Sequence, residues 1–190
     1  VPNFTTVFSP GYVSGAFQMI AKTIAARQTL NVKRQTFFVL LGGWDHHDEV
    51  LNNMTNMLPL VSKGLSEFNS AMTELGIQDK VTTFTASDFA RTLTSNGQGS
   101  DHGWGGNHIV MGGAVNGGQI YGTYPNLYEG NPLDTGRGRL IPTTSVDEMF
   151  AELAKWFGVS SADLDSLFPN LDRFYDSSSS SLPLGFMNNS

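Results

Sequence analysis

A chain of 190 residues can bury one sizeable core or form one large domain, and with 39% apolar and 15% charged residues its composition is globular. Seventeen acidic against eleven basic residues give a net charge of −6, which argues against nucleic-acid binding through phosphates and against an acidic membrane surface. The absence of cysteine excludes disulfides, thiolate metal sites and a Cys nucleophile.

No apolar run reaches the length of a bilayer span. The opening "VPNFTTVFSP" has neither the charged nor the apolar region of a signal peptide, so any export signal is expected upstream of Val1. Residues 14–29 carry Phe17, Ile20, Ala21, Ile24 and Ala25 at helical spacing, with Ser14 as the candidate N-cap. "QTFFVLLGG" is a short solid apolar run and predicts a strand buried on both faces. From Val50 to Leu75, apolar residues recur every three or four positions. This predicts a long helix with Pro59 as a kink site and Gly76 as its C-cap. "KVTTFTASDF" predicts a second strand, so that strand, helix and strand form a right-handed βαβ crossover.

Glycine dominates from Asn96 to Gly122, interrupted by "HIVMGGAV", a third candidate strand. Residues 123–143 read as irregular loop. "TTSVDEMFAELAKWFG" predicts an amphipathic helix opened by a Ser145–Glu148 capping box and stopped by Gly158. "SSADLDSLFPNLDRF" predicts a last short helix begun by Ser160 or Ser161. The expected organisation is one domain over residues 1–175 and a Ser-rich tail over 176–190, mobile or lightly docked.

All four histidines fall in two words, "GGWDHHDE" and "GSDHGWGGNH". Asp45, His46 and His47 follow the first predicted strand and Asp88 ends the second. In an open α/β sheet, ligands bind beyond the carboxyl ends of parallel strands. The loop carrying Asp101, His102 and His108 leaves from the same expected edge, so three segments would converge there. Neutral imidazole and carboxylate are ligands of borderline divalent metals. Asp45 and His47 are two residues apart and, if extended, share a face, with His46 pointing away or acting behind them. Against this, a loop histidine is more often a surface residue or a hydrogen-bonded anchor, and Trp44 and Trp104 read as core aromatics. Arg91, like Arg137 and Arg139 in "GRGR", could meet an anionic group or serve a structural ion pair or loop contact. No His-Asp relay accompanies Thr85 or Ser87, so the catalytic residue is unassigned.

The words "GGWDHHDE", "VTTFTASDFART", "GSDHGWGGNHIVMGGAVNGG", "GRGRLIPTTSVDEMFAELAKWFGV" and "FPNLDRF", in this order from about Ala16 to Phe174, resemble a bacterial family often exported by the twin-arginine route. That family is placed within the alkaline phosphatase and sulfatase superfamily. The resemblance implies an α/β class with a three-layer α/β/α sandwich, a mostly parallel sheet and a divalent-metal site. Zinc is expected first, with manganese, calcium or iron as alternatives. It matches Asp45, His47 and His102 to the first metal and Asp88 to the second. An alternative alignment places Asp101 and His102 as the metal-binding pair and His108 as the later histidine. Phe89 stands where a second-metal ligand is expected, and the spacing from Asp45 to His47 is shorter than the superfamily's. No nucleophile-bearing segment precedes residue 36, so the chain resembles only the C-terminal half.

The implied function is a metal-dependent hydrolase of phosphate or sulfate esters. Its substrate would be a small anionic ester or a sulfated or phosphorylated glycan, bound by Arg91 and Arg137. Its location would be periplasmic or extracellular, and its partner the missing N-terminal half. The alternative is a non-catalytic metal- or glycan-binding exported protein with a degenerate site.

Overall fold

The computed structural model describes residues 3–188. They divide into two compact units, one running to Val81 and including Ser95–Asp101, the other comprising Thr82–Thr94 and the residues from His102 onward.

The first unit is built on helices α1 (Tyr12–Ala25), α2 (Arg27–Leu30) and α3 (Val50–Glu74). Val13, Phe17, Ala21 and Ile24 share a face of α1 and are buried against Phe68, Ala71 and Met72 of α3. The helices meet closely at Gly64, where a Cβ would lie 2.7 Å from Val13 Cγ1. The Phe17 and Phe68 rings stack nearby, their centroids 5.0 Å apart. α1 starts two residues before the predicted Ser14, after Gly11, and Ser14 is buried inside the helix rather than capping it. α3 keeps its predicted limits and runs unbroken through Pro59. It ends as a Schellman motif, with Gly76 at φ 64°, its N–H donating to Thr73 and that of Ile77 to Met72. Ile77 then packs into the same core.

The predicted strand over residues 35–43 does not form, and no backbone hydrogen bond reaches Thr36–Gly43 among the described residues. An apolar run becomes a strand only when another strand completes its ladder, and none does so here.

In the second unit, β1 (Thr82–Phe84) pairs antiparallel with β4 (Val110–Gly112), matching Thr82 to Gly112 and Phe84 to Val110. β2 (Ala90–Ser95) and β3 (Ser100–Gly103), whose residues are shared between the two units, form a second two-stranded sheet; β3 lies in the glycine-rich stretch expected to be loop, and β2 in residues to which the sequence assigned no element. The expected three-layer α/β/α sandwich with a mostly parallel sheet is therefore incorrect: the sheets are short, two-stranded and antiparallel. The predicted βαβ crossover fails for two reasons. Its first strand is absent, and its second takes β4 as an antiparallel neighbour.

α4 (Val146–Phe157) opens with the predicted capping box: Ser145 Oγ accepts from Glu148 N–H at 3.1 Å, and Glu148 Oε2 accepts from Ser145 N–H at 2.9 Å. Gly158, at φ 104°, closes the helix. The predicted last helix is reduced to α5 (Leu164–Leu167) between single 3-10 turns, with Leu164, Leu171 and Tyr175 buried beside Ala151 of α4.

The described part of the tail is firmly docked, contrary to the expectation of mobility. Phe186 and Met187 are buried against Met149 and Leu153. Glu152, fully buried, accepts backbone N–H groups from Leu184 and Gly185 at 2.7 Å and from Met187 at 2.6 Å. A carboxylate in an apolar core is tolerated only when donors surround it, and here the tail supplies them. Asn189 and Ser190 of the predicted tail lie outside the described residues.

Glu152→Ala would leave three buried N–H groups unpaired. It should destabilise the second unit by about 3 kcal/mol or more, read as a lowered urea midpoint with early proteolysis after Tyr175. A second test concerns the N-terminal strap. Glu74 accepts the backbone N–H of Thr5 at 2.5 Å and that of Thr6 at 2.9 Å, as well as both hydroxyls. Led by the Thr5 backbone bond, these donors lower its pKa from 4.5 to about 2. A carboxylate with a depressed folded pKa contributes fully above its unfolded value, and that contribution fades as pH falls toward the folded one. Hydrogen exchange at Thr5 and Thr6, corrected for intrinsic rates, should lose protection between pH 4.5 and 2. Glu74→Gln should have lost it already at neutral pH.

Candidate metal centre

Within the first unit, the turn before α3 and the tip of the β2–β3 hairpin assemble around one imidazole. Gly43, at φ 90°, lets the chain turn into "WDHHDE". His46 N–H then donates to Trp44 C=O at 2.9 Å and His47 N–H to Asp45 C=O at 3.2 Å. This tight winding brings Asp45 back onto His47. His47 Nε2 lies 3.0 Å from Asp45 Oδ1, and His47 Nδ1 lies 3.2 Å from Asp101 Oδ1. The His47 and Asp45 side chains are half exposed, and Asp101 is the most sheltered of the three.

Asn96 builds the hairpin tip. Its Oδ1 accepts from Gln98 N–H at 3.0 Å and Gly99 N–H at 2.8 Å, an Asx turn. Its Nδ2 donates to His47 C=O at 2.9 Å and to Asp101 Oδ1 at 3.0 Å. Gly99 makes the approach sterically feasible: a Cβ there would lie 2.6 Å from the His47 carbonyl carbon and oxygen. Neither Asn96 nor Gly99 was singled out from the sequence. The signal available was "SNGQGS", a turn word immediately before Asp101.

The donor set suits a divalent cation. Two ligand atoms each about 2.1 Å from one cation are about 3.0–3.4 Å apart, the separation of His47 Nε2 and Asp45 Oδ1. Asp101 on Nδ1 is the carboxylate that commonly fixes the tautomer of a metal-bound imidazole, leaving Nε2 as the free lone pair. His46 is turned inward and buried, its Nε2 without a hydrogen-bond partner among the described residues.

The other predicted site residues belong to the second unit. His102, directly after Asp101 in the chain, is exposed, and its ring stacks on Phe89 at 4.0 Å between centroids and 8° between planes. The guanidinium of Arg91 lies 5.0 Å from the same Phe89 ring. Phe89, at the position expected for a second-metal ligand, thus serves as the platform for His102 and Arg91. Asp88 is exposed in the bend before β2, and its side chain makes no hydrogen bond or ion pair among the described residues. His108 is exposed, and the partial burial of its ring lowers its pKa from 6.5. Arg137 adopts φ 62°, and its carbonyl accepts from Thr94 N–H at 3.2 Å, so its backbone pins the loop to β2. Asp134 organises that loop, accepting from Gly130 N–H at 2.7 Å and Gly136 N–H at 2.8 Å. These backbone donors, Gly130 first, hold its carboxyl below the usual range. Ser87 Oγ donates to Phe89 C=O at 2.9 Å, and Thr85 Oγ1 accepts from Ile109 N–H at 3.0 Å, so both hydroxyls are occupied in local structure.

With this geometry in place, comparison with known families supplies the class. Residues 10–169 match a family described as "protein of unknown function (DUF1501)", and the chain belongs to that family. Neither the curated proteins nor the solved structures contain a match.

Gly99→Ala should drive the hairpin tip away from the 45–47 turn and destabilise the first unit by about 1–3 kcal/mol. In its NMR spectrum, the His47 ring resonances should move toward those of Asp101→Ala. An unshifted His47 ring would show that Gly99 does not govern the approach.

Proposed function

We propose that the chain is the metal-bearing part of a divalent-metal-dependent hydrolase of phosphate or sulfate esters. The observation that carries this reading is the His47 imidazole set between Asp101 on Nδ1 and Asp45 beside Nε2. Asp45 and His47 would be ligands and Asp101 the group that orients His47. His102 is the later histidine that the family resemblance assigns. Zinc suits an N,O donor set best, with manganese, iron or calcium as alternatives. Such an ion would polarise an ester oxygen or acidify a bound water. Arg91 and Arg137 are the proposed contacts for an anionic ester or a sulfated or phosphorylated glycan, and an exported location accompanies the resemblance.

A second reading is a non-catalytic metal- or glycan-binding protein. It is favoured by the local occupation of the Ser87 and Thr85 hydroxyls and by the phenyl ring of Phe89 at an expected ligand position.

Two measurements separate these readings. Zinc at 100 times its dissociation constant should add about 2.7 kcal/mol to stability. Asp45→Asn, His47→Ala and His102→Ala should each weaken zinc binding at least tenfold in calorimetry. Asp101→Asn should weaken it about tenfold or more through misorientation of His47. Turnover of aryl phosphate or sulfate by the zinc-loaded protein supports the hydrolase. Zinc binding with glycan retention and no turnover supports the second reading. Stability indifferent to chelator and to zinc ends both in favour of hydrogen-bonded loop anchors.

A further inference from the structure

Asn96 is followed by Gly97, the pairing in which a backbone nitrogen most readily attacks a side-chain amide, because glycine puts no side chain in the way. The chain holds two such pairs, Asn96–Gly97 and Asn116–Gly117, and the first lies in the candidate site. Asn96 Nδ2 is the group that ties His47 C=O, at 2.9 Å, to Asp101 Oδ1, at 3.0 Å. Both bonds require that the side chain be an amide, since a carboxylate has no proton to donate.

We infer that Asn96 is a site of spontaneous deamidation and that its conversion releases His47 from Asp101. The Gly97 nitrogen, its proton given up to hydroxide, attacks Asn96 Cγ. A C–N bond forms, the Cγ–Nδ2 bond breaks, and Nδ2 leaves as ammonia after taking a proton from water. The cyclic imide then adds water at either carbonyl, giving aspartate or isoaspartate, with nothing oxidised or reduced. Aspartate sets a carboxylate against Asp101 Oδ1 and the His47 carbonyl, three acceptors with no proton among them, and the two negative charges repel. Isoaspartate also routes the main chain through Cγ, one methylene longer. The Asx turn that holds the Gln98 and Gly99 N–H groups is then lost, and with it the approach of Gly99 to the 45–47 turn. The folded tip slows the reaction without preventing it. Gly97 N–H donates to Ser95 Oγ at 3.0 Å, and that hydroxyl donates to Gly99 C=O at 3.0 Å. Nucleophile and leaving amide are therefore both restrained until the tip opens locally. At Asn116 the Gly117 N–H is bonded to Val115 C=O at 2.9 Å, but the side-chain amide makes no hydrogen bond among the described residues, so this pair is an internal reference. The inference rests on the contacts of the tip and holds whether or not a cation binds, so it stands or falls apart from the hydrolase reading.

Peptide mapping of the protein held in warm, mildly alkaline buffer should find aspartate and isoaspartate at position 96, forming about tenfold more slowly than in the unfolded chain. Ser95→Ala, which frees the Gly97 N–H, should raise that rate several-fold. In the converted fraction the His47 ring resonances should move toward those of Asn96→Asp, and the Gln98 and Gly99 amides should lose exchange protection. Conversion at Asn116 alone should leave both unchanged. The shift is read within the aged wild-type protein, so it does not depend on any variant folding. Intact Asn96 after Asn116 has fully converted would overturn the inference. Conversion at position 96 with the His47 resonances unmoved would overturn it equally.

Discussion

The imidazole of His47 can be held on both of its nitrogens only because the hairpin tip comes within bonding distance of the turn at residues 45–47. That approach is a steric condition before it is an electrostatic one. Gly99 touches the His47 carbonyl through a gap that no Cβ could share. Once the backbones are that close, Asn96 ties them together by donating to both His47 C=O and Asp101. Asp101 is thereby placed on Nδ1 and Asp45 is left beside Nε2. Remove the close approach and the remaining residues are ordinary exposed acids and a histidine.

The two units use polar groups in a similar way. In the first, Glu74 and Glu67 on α3 gather the N-terminal strap through backbone N–H and hydroxyl donors from Thr5, Thr6 and Ser9. In the second, Glu152 on α4 gathers the tail through the N–H groups of Leu184, Gly185 and Met187. In both, a helix presents a carboxylate and a chain end without regular structure finds its position by donating to it. The sheets, being short, cannot do this organising themselves.

The helices were legible in the sequence because their signals are local. The capping box at Ser145, the glycine after Leu75 and the apolar stripe of α3 each act within one or two turns of backbone, whatever surrounds them. The strands were legible only in part, for the opposite reason: "KVTTFTASDF" and "HIVMGGAV" do contain β1 and β4, but their pairing with each other was not foreseen. A strand is defined by its neighbour, so "TFFVLLGG" with every strand preference in its favour stays outside any ladder, while "ARTLTS", given no element, and "SDHG", read as loop, find each other. The same logic applies to the site. Asp45, His47 and Asp101 could be named from residue type and spacing, whereas Asn96 and Gly99 act through backbone contacts that residue type does not announce.

Sequence alone therefore settled the cysteine-free, acidic character of the chain, its principal helices with several of their caps, and the pool of imidazoles and carboxylates from which a cation site could be drawn. Tertiary structure alone decided which strands exist, in which direction they run, how the tail is anchored, and which carboxylate faces which nitrogen of His47. The division follows the range of the forces. Helix signals are exchanged between residues three or four apart, but the β1–β4 ladder joins segments about thirty residues apart and the close approach at His47 segments about fifty apart, whose meeting no local pattern encodes.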